Sequence, residues 1–227
     1  MASGFVRPHT CMQGLFWEDR VEENFIGHQL SEIYRDGVYA PFFNGKKDLI
    51  VIDVGANIGT TTYYFSQFAK IVHSIEPSKQ HFEVLKYMVG FNKLSNVKLH
   101  NLAIWIKNKK LPLFHNSKNK TMFSLHQDIN DGVERPETVQ AIDLEEFFKT
   151  EKIEHCDFMK LDVEGTEFEI LGSTGFRKVA SKIDTIVLEW HEWAGRNSNQ
   201  LNQSLENNGF KVQPIQSGAH LLAGIKT

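Results

Sequence analysis

The chain has 227 residues, 41% of them hydrophobic, and a formal net charge of −3. This length allows one α/β domain with a substantial core and is too short for two full domains. The sequence pI near 6.4 and the absence of a dominant basic stripe argue against a nucleic-acid partner.

The sequence predicts neither membrane insertion nor a disulfide framework. No apolar run is long enough to span a bilayer, and the first seven residues lack the hydrophobic region of a signal peptide. Cys11 and Cys156 are far apart, as is usual in a reducing compartment. We therefore expect a cytoplasmic protein, and the sequence leaves its oligomeric state open.

Residues 1–48 precede the first predicted strand and form a separate N-terminal segment, followed by a ligand-binding domain over residues 49–227. The pattern from Glu18 to Tyr34 predicts a helix, and residues 39–43 form an aromatic loop. Two interpretations stay open for this segment, a lid over the ligand or ordinary packing on the sheet edge.

Residues 49–54 form the first predicted strand, in which aliphatic neighbours flank Asp53. Such a run is typical of a strand that is buried on both faces. Gly55 and Gly59 follow it, and their missing side chains permit a sharp turn and a close approach of a ligand to the backbone. A helix begins after Gly59. A buried acid followed by this loop predicts a nucleotide-type cofactor site.

The spacing of the loop excludes the two commonest cofactors of this kind. A dinucleotide fingerprint that starts at Gly55 needs glycines at positions 57 and 60, where the chain has Asn57 and Thr60. A phosphate-binding P-loop needs a lysine directly after Gly59, and none is present. The loop therefore favours a ligand with a nucleoside and an amino-acid tail but no phosphate.

The second predicted strand, residues 70–76, ends in Glu76, 21 residues beyond Gly55. A carboxylate at the end of this strand can accept hydrogen bonds from both ribose hydroxyls. The alternative is a glutamate that caps a helix or is exposed to solvent. Pro77 halts the strand, and Ser78 is the expected N-cap of an amphipathic helix.

The remaining pattern continues the alternation of strands and helices. It predicts a third strand over 97–104, an irregular excursion over 107–140 with short strands near 111–114 and 138–141, a fourth strand over 158–163, a fifth over 185–191, a helix over 198–208, and an antiparallel hairpin of 210–215 and 219–225. The whole is predicted as a doubly wound α/β sheet, mostly parallel, with an antiparallel C-terminal hairpin.

Ionisable side chains end the fourth and fifth predicted strands, where doubly wound sheets place function. Lys160, Asp162 and Glu164 alternate and so project to one face, as do Glu189 and His191 on the next strand. His191 is the best candidate for a general base because its unperturbed pKa is near neutrality. The alternative is a structural Lys160–Asp162 ion pair with Glu164 capping the next helix.

A metal-assisted reaction is a further alternative, since the four side chains Asp162, Glu164, Glu189 and His191 could converge on a divalent ion. Nothing in their spacing requires this, and we predict no metal site. The other histidines form no H-x-x-x-H or H-x-H pattern, and we interpret them as scattered surface or core residues: His73, His81, His100 and His155.

Five motifs resemble those of the FkbM family of S-adenosylmethionine-dependent methyltransferases in order and approximate spacing, over residues 49–192. They are Asp53 to Gly59, Glu76-Pro77, Asn101 to Ala103, Ala141 to Leu144 and Lys160 to Gly172. The block at 160–167, K-x-D-x-E-G-x-E, is the specific part. The resemblance implies a Rossmann-like class I methyltransferase sheet of seven strands, S-adenosylmethionine as cofactor and O-methylation of a small-molecule or glycan hydroxyl.

Together with their positions at the strand ends, the resemblance leads us to predict a role for each candidate residue. Cofactor-binding residues are Asp53, Gly55, Asn57, Gly59, Glu76 and Asp162, with Asn101 and Ala103 near the adenine. Catalytic candidates are His191, Glu164, Asp162, Glu189 and Lys160. Methyl transfer asks the protein mainly to align the acceptor with the methyl group and to exclude water, and a base helps when the acceptor is a hydroxyl.

Two other functions stay open at this point. One is a nicotinamide-dependent oxidoreductase on a similar fold, which the missing phosphate-loop glycines disfavour. The other is a protein that binds S-adenosylmethionine without catalysis and acts as a partner of another protein.

Overall fold

The computed structural model describes residues 29–115, 123–125, 136–191, 197–215 and 220–227. Its strands are β1 Leu49–Val54, β2 Ala69–Ile75, β3 Val97–His100, β4 Ala103–Trp105, β5 Lys109–His115, β6 Phe123–Ser124, β7 Glu137–Asp143, β8 Phe158–Leu161, β9 Thr185–Glu189, β10 Phe210–Pro214 and β11 Leu221–Lys226.

The helices lie between these strands. They are α1 Ala40–Phe43, α2 Thr60–Ser66, α3 Lys79–Phe91, α4 Leu144–Thr150, α5 Glu167–Gly172, α6 Thr174–Val179 and α7 Ser198–Glu206, with a π-helical turn over Ser31–Arg35 and a 3-10 turn over Ala180–Lys182. None of the described helices is both long and apolar enough to cross a membrane.

The main sheet has seven strands in the order β10-β11-β9-β8-β1-β2-β3, and a second sheet has the order β4-β7-β5-β6. β8, β1, β2 and β3 are parallel, and β11 runs antiparallel to both β9 and β10. The predicted doubly wound sheet and its antiparallel C-terminal hairpin are therefore confirmed. The turn of the hairpin, at residues 216–219, lies outside the described residues.

The central strand β1 is buried on both faces, as its apolar sequence predicts. Ile52 packs on one face in a cluster with Phe147 and Phe176 from α4 and α6. Val51 packs on the other face with Phe65 from α2. β1 is parallel to its neighbours β2 and β8. The carboxyl ends of the three strands therefore lie at one common edge of the sheet.

The aromatic segment before β1, which we predicted as a loop, forms the short helix α1 and packs against the sheet. Phe43 stacks on Phe65 with ring centroids 5.3 Å apart and contacts Phe158 of β8 at 4.7 Å. Tyr39 meets the same two rings edge-on. The predicted helix from Glu18 lies mostly in residues 1–28, outside the described residues. The segment with two open interpretations, residues 1–48, is described only from residue 29 onward, and that part packs on the sheet.

The third predicted strand, 97–104, is wrong as a single element. The chain leaves the main sheet after His100, and β4 begins at Ala103 in the second sheet. The break has a local cause, because the Asn101 side-chain amide donates hydrogen bonds to the backbone carbonyls of Glu76 and Pro77 at 2.9 and 3.0 Å. Those bonds hold Asn101 at the end of β2 while the backbone turns away.

Two predicted strands end earlier than the sequence pattern indicates. β8 ends at Leu161 and β9 at Glu189. Asp162, Glu164 and His191 therefore lie in the turns beyond the strands. Their positions depend on loop geometry rather than on the alternation of a strand.

Candidate functional site

The carboxyl ends of β1, β2 and β8 form one wall of a cleft. Because these strands are neighbours, they bring Gly55, Glu76 and Asp162 to the same edge of the sheet. Asn57 and Glu164 also line this wall. Every described polar side chain named here carries an oxygen acceptor, so this wall favours ligands with hydrogen-bond donors or positive charge.

The opposite wall is apolar and comes largely from the second sheet. It is lined by Leu102, Ala103, Ile104, Leu113, Phe123 and Leu125, together with His81 of α3. The His81 ring meets Phe123 edge-on at 4.3 Å. Our interpretation of His81 as a scattered residue missed this role, since only the tertiary fold brings α3 to the second sheet. A flat apolar wall of this kind suits an aromatic base.

Glu76 is the best-defined polar group in the cleft. It is 4% exposed, so the alternative of a solvent-exposed glutamate is wrong. Oε2 accepts a hydrogen bond from the Asn57 backbone N–H at 2.9 Å, and Oε1 accepts one from the Ser78 N–H at 2.8 Å. A carboxylate has about four acceptor sites, so two remain for a ligand. Burial raises the pKa of Glu76 to about 7.

The loop glycines are required by packing within the protein. Gly55 has φ +77°, and a Cβ there would overlap the carbonyl oxygen of Asp162. Gly59 has φ +98°, and a Cβ there would meet the side-chain ends of Met88 and Leu85 on α3. We expected these glycines to permit a sharp turn and a close approach of a ligand. Their positive φ angles fit the sharp turn, and Gly55 lines the cleft. The glycines also let the loop lie against the β8 end and against α3.

Asn57 combines an unusual backbone with an unpaired oxygen. Its φ of 52° lies in the left-handed region, which asparagine tolerates better than most residues. Its backbone N–H binds Glu76. Its Oδ1 is buried and has no hydrogen-bond partner among the described residues. An orphaned acceptor that lines a cleft is a place where a ligand donor fits.

Asp53 lies beneath the loop. It is fully buried, and its Oδ2 accepts hydrogen bonds from the hydroxyls of Thr61 and Thr62 at 2.9 and 2.7 Å. Lys160 Nζ lies 3.8 Å from its Oδ1. These contacts tie β1 to the start of α2, and Asp53 is not among the described residues that line the cleft.

Lys160 forms the structural ion pair that the sequence allowed as an alternative. Its Nζ donates to Asp162 Oδ2 at 3.1 Å and to the Gly55 carbonyl at 3.0 Å. Although burial alone would lower the pKa of Lys160, the carboxylates of Asp162 and Asp53 outweigh it and raise the pKa above its ordinary value. Lys160 is therefore a permanent cation that holds Asp162 and the loop together.

His191 stands between the partly exposed Glu164 and the fully buried Glu167. Nε2 lies 3.3 Å from Glu164 Oε2, and Nδ1 lies 3.4 Å from Glu167 Oε1. Burial alone would lower the pKa of His191, but Glu167 and Glu164 raise it to about 10. A protonated imidazole cannot accept a proton, so these surroundings argue against the predicted role of His191 as the general base at neutral pH.

Glu164 is a better candidate than His191 for the general base. Burial, followed by the nearby charge of Asp162, raises its pKa to about 8. Oε2 is buried without a hydrogen-bond partner in the described part of the chain. Glu164 does not cap the next helix, because α5 starts after Thr166 without a side-chain cap. Its φ of 52° is strained for a glutamate, a kind of strain that is common at functional sites.

We assigned no role to Glu167 from the sequence. It is fully buried, and its Oε1 accepts hydrogen bonds from the backbone N–H groups of Val163 and Gly165 at 3.0 and 3.2 Å. These bonds hold the turn that carries Glu164. The available signal was the second glutamate of the K-x-D-x-E-G-x-E block.

Glu189, at the end of β9, lies close enough to Asp162 and His191 for their charges to shift its pKa. Its pKa is raised to about 7, first by burial and then by Asp162. Asp162, Glu164 and His191 each present one ligand atom within 4.8 Å of the others, which leaves the metal-assisted alternative geometrically open.

Strand pairing gathers histidines that the sequence spacing left apart. Our interpretation of His73, His100 and His155 as scattered is wrong. His73 and His100 form a cluster with Glu151, and His155 forms an exposed one with two aspartates, Asp157 and Asp184. Both clusters depend on residues from different elements, which no single-segment motif reveals.

A model of one protein family, the methyltransferase FkbM domain, matches residues 53–212. The search of curated proteins finds no match. Among solved structures, a methyltransferase FkbM from Methylobacillus flagellatus is similar at TM-score 0.55 and 15% identity, over 78% of this chain and 43% of that one.

Two further structures are similar over most of their length. A magnesium protoporphyrin IX methyltransferase from Synechocystis, solved with bound SAM, has TM-score 0.55 and 12% identity, over 96% of this chain and 91% of that one. A putative methyltransferase from Streptococcus mutans, solved with SAH, has TM-score 0.52 and 14% identity, over 85% and 97%. At these identities the likeness is one of fold, that of class I methyltransferases.

Proposed function

Because the chain belongs to the FkbM family of methyltransferases, we propose that it transfers the methyl group of S-adenosylmethionine to a hydroxyl oxygen of a small molecule or glycan in the cytoplasm. The single observation that carries this proposal is the geometry of Glu76. Each of its two carboxylate oxygens accepts one hydrogen bond from a backbone N–H and keeps one acceptor site free. Two free acceptor sites match the two hydroxyls of a ribose.

The rest of the cleft fits the same cofactor. The apolar wall that includes Ala103 and Phe123 suits the adenine, and the unpaired Asn57 Oδ1 suits the ammonium of the methionine tail. Asp162 lines the cleft beside Asn57 and adds negative charge for the cationic end of the cofactor. Asp53 and Asn101 support this site from behind, through the hydroxyls of α2 and the end of β2.

The chemistry divides between cofactor and protein. When bound, the cofactor supplies an electrophilic methyl group on a positively charged sulfur. The protein holds the acceptor oxygen in line with that methyl group, excludes water and removes the hydroxyl proton. Alignment and the exclusion of water require a closed cleft, and the second sheet forms its far wall.

We assign Glu164 as the general base that accepts the proton of the acceptor hydroxyl. Its pKa of about 8 makes the ionised form available near neutral pH while keeping it basic enough to take a proton from a hydroxyl. Glu164 lines the cleft, and its Oε2 accepts no hydrogen bond from the described residues and has the imidazole of His191 beside it. The positively charged His191, 3.3 Å away, stabilises the ionised form of Glu164 and is a positioning residue.

The acceptor is a hydroxyl compound small enough to reach Glu164 between the two walls of the cleft. Support for oxygen rather than nitrogen as the acceptor atom comes from the family and from Glu164, since an amine needs no base of this strength once it is neutral. Incubation with isotopically labelled S-adenosylmethionine and a pool of glycans, glycolipids and polyketides, read by mass, tests the proposal. Label in a hydroxylated product is expected.

Three results would contradict it. Label only in amines would move the acceptor to nitrogen. Stabilisation by NAD and not by S-adenosylhomocysteine would favour an oxidoreductase. Tight binding of S-adenosylhomocysteine without label in any product, in both the native chain and Glu164→Gln, would favour a binding protein without catalysis.

A further inference from the structure

The face of the main sheet beneath α4 carries a cluster that methyl transfer does not use. His73 of β2 is paired with Lys98 of β3, so His100, two residues further, stands on the same face. Glu151 follows directly after α4 and reaches this face. His73 Nδ1 lies 3.2 Å from His100 Nε2 and 3.8 Å from Glu151 Oε2. One possible metal-ligand atom from each of the three residues therefore lies within 4.8 Å of the other two.

We propose that His73, His100 and Glu151 bind a zinc ion. With Zn–N bonds of about 2.0–2.1 Å, two nitrogen ligands of a tetrahedral site are about 3.4 Å apart. The observed 3.2 Å between the two imidazole nitrogens is close to that value. Two imidazoles and one carboxylate are a donor set that zinc accepts, with a water in the fourth position.

The charges in the cluster favour a cation. Burial lowers the pKa of His73 to about 4, and it lowers that of His100 as well. Both rings are therefore neutral at neutral pH, the form that binds a metal. The cation nearest to the Glu151 carboxylate among the described residues is Lys98, 3.5 Å away, whose side chain is 53% exposed. A divalent ion would balance this carboxylate inside the cluster.

The surroundings hold the ligands in place and leave an entrance. Phe147 of α4 packs edge-on against both imidazoles, with centroids 5.8 and 5.1 Å away, and so restrains their planes. β3 is the edge strand of the main sheet. The Glu151 side chain is 21% exposed, so an ion can enter from solvent at that edge.

A bound ion would connect β2, β3 and α4. Glu76, which lines the cleft, comes directly after β2, and Asn101, whose side chain binds the Glu76 carbonyl, comes directly after β3, so the ion would join the two strands that position Glu76. The role that follows is structural support of the strand ends, separate from the transfer of the methyl group.

The test uses the full chain without a histidine tag, stripped with a chelator and titrated with Zn²⁺ by calorimetry and with Co²⁺ by visible absorption. One equivalent, a higher Tm and the intense visible bands of tetrahedral Co²⁺ are expected. Loss of a residue that only hydrogen-bonds to a metal ligand weakens metal binding by about 10- to 100-fold. Glu151→Gln removes a ligand itself and should weaken zinc binding by more than that. His100→Gln should do the same.

Two further variants separate a metal site from a purely structural cluster. Lys98→Met removes a cation that competes for Glu151 and should tighten zinc binding several-fold, which a structural role alone would not produce. His155→Gln, in the exposed cluster, should leave zinc binding unchanged. Retained binding of S-adenosylhomocysteine shows that each variant is folded.

The proposal is overturned if the stripped chain takes up no Zn²⁺, or if Glu151→Gln and His100→Gln bind it as the native chain does. Because Glu151 is partly exposed, Glu151→Gln keeps the test decisive even if His100→Gln fails to fold.

Discussion

The backbone N–H of Asn57 donates a hydrogen bond of 2.9 Å to the carboxylate of Glu76. This bond joins the loop after β1 to the end of β2, so the loop and the carboxylate form one unit. We therefore expect a change in Glu76 to affect both the proposed ribose contacts and the shape of the loop.

Replacement of Glu76 by glutamine should weaken the binding of S-adenosylhomocysteine by about 10- to 100-fold, because hydrogen bonds to a charged group contribute about 1.5–3 kcal/mol. Calorimetric titration measures this. Glu83→Gln is the matched control, since Glu83 lies on the exposed side of α3. Equal losses in the two variants would show that Glu76 does not contact the cofactor.

Cofactor affinity should depend on pH near neutrality. The pKa of Glu76 is raised to about 7, so the carboxyl is protonated below that pH and ionised above it. Ribose hydroxyls donate to the ionised form, which means that binding tightens as pH rises through about 7 and then levels off. Below 7, affinity should fall by up to about tenfold per pH unit.

The same titration of Glu76→Gln isolates the contribution of this group. Its affinity should vary less between pH 6 and 8 than that of the native chain, because glutamine has no proton to lose. An unchanged pH dependence in the variant would assign the effect to another acid of the cleft.

Replacement of Glu164 by glutamine should lower kcat by about 100- to 10,000-fold, the usual contribution of a general base. Binding of S-adenosylhomocysteine should change little, since Glu164 is assigned to the acceptor. Single-turnover methyl transfer measures the first effect and calorimetry the second. Glu145→Gln, on the exposed side of α4, is the control.

His191→Gln distinguishes the two candidate bases. If Glu164 is the base, loss of the adjacent positive charge raises its pKa, and the rising limb of the rate against pH moves upward from about 8. Activity then returns at high pH. A loss of activity at every pH, as large as that of Glu164→Gln, would instead make His191 the base.

Replacement of Gly55 by alanine should destabilise the protein by more than about 2 kcal/mol, since a Cβ both overlaps the Asp162 carbonyl and requires a left-handed backbone. Gly90→Ala is the matched control in α3, where a Cβ meets no atom within 4 Å and alanine favours the helix by up to about 1 kcal/mol. Urea unfolding measures both, and similar values would contradict the packing role of Gly55.

Local sequence patterns predicted the elements that form the candidate cofactor cleft. Buried β1, the loop to α2, the carboxylate at the end of β2 and the N-cap at Ser78 all depend on residues close in the chain. The C-terminal hairpin follows from the same kind of pattern. Each of these predictions is confirmed, because short-range periodicity and capping determine them.

Features that depend on long-range packing could not be predicted in the same way. The ionisation of His191 follows from Glu164 and Glu167, which reach it only when β9 and the β8 turn are neighbours. The exit of the chain after His100 follows from a side-chain bond of Asn101 to the end of β2. Neither contact has a signature within one segment of sequence.

The pairing of β1 with β8 has a consequence for how the protein folds. Lys160 binds the Gly55 carbonyl across 105 positions of sequence, and Asp157 binds the Ile50 N–H across 107. Contacts between such distant residues form slowly, because a long stretch of chain must be closed first. During synthesis the segment from β1 to α3 leaves the ribosome before β8 does, so we expect the cleft wall that β1 and β8 share to form late in folding.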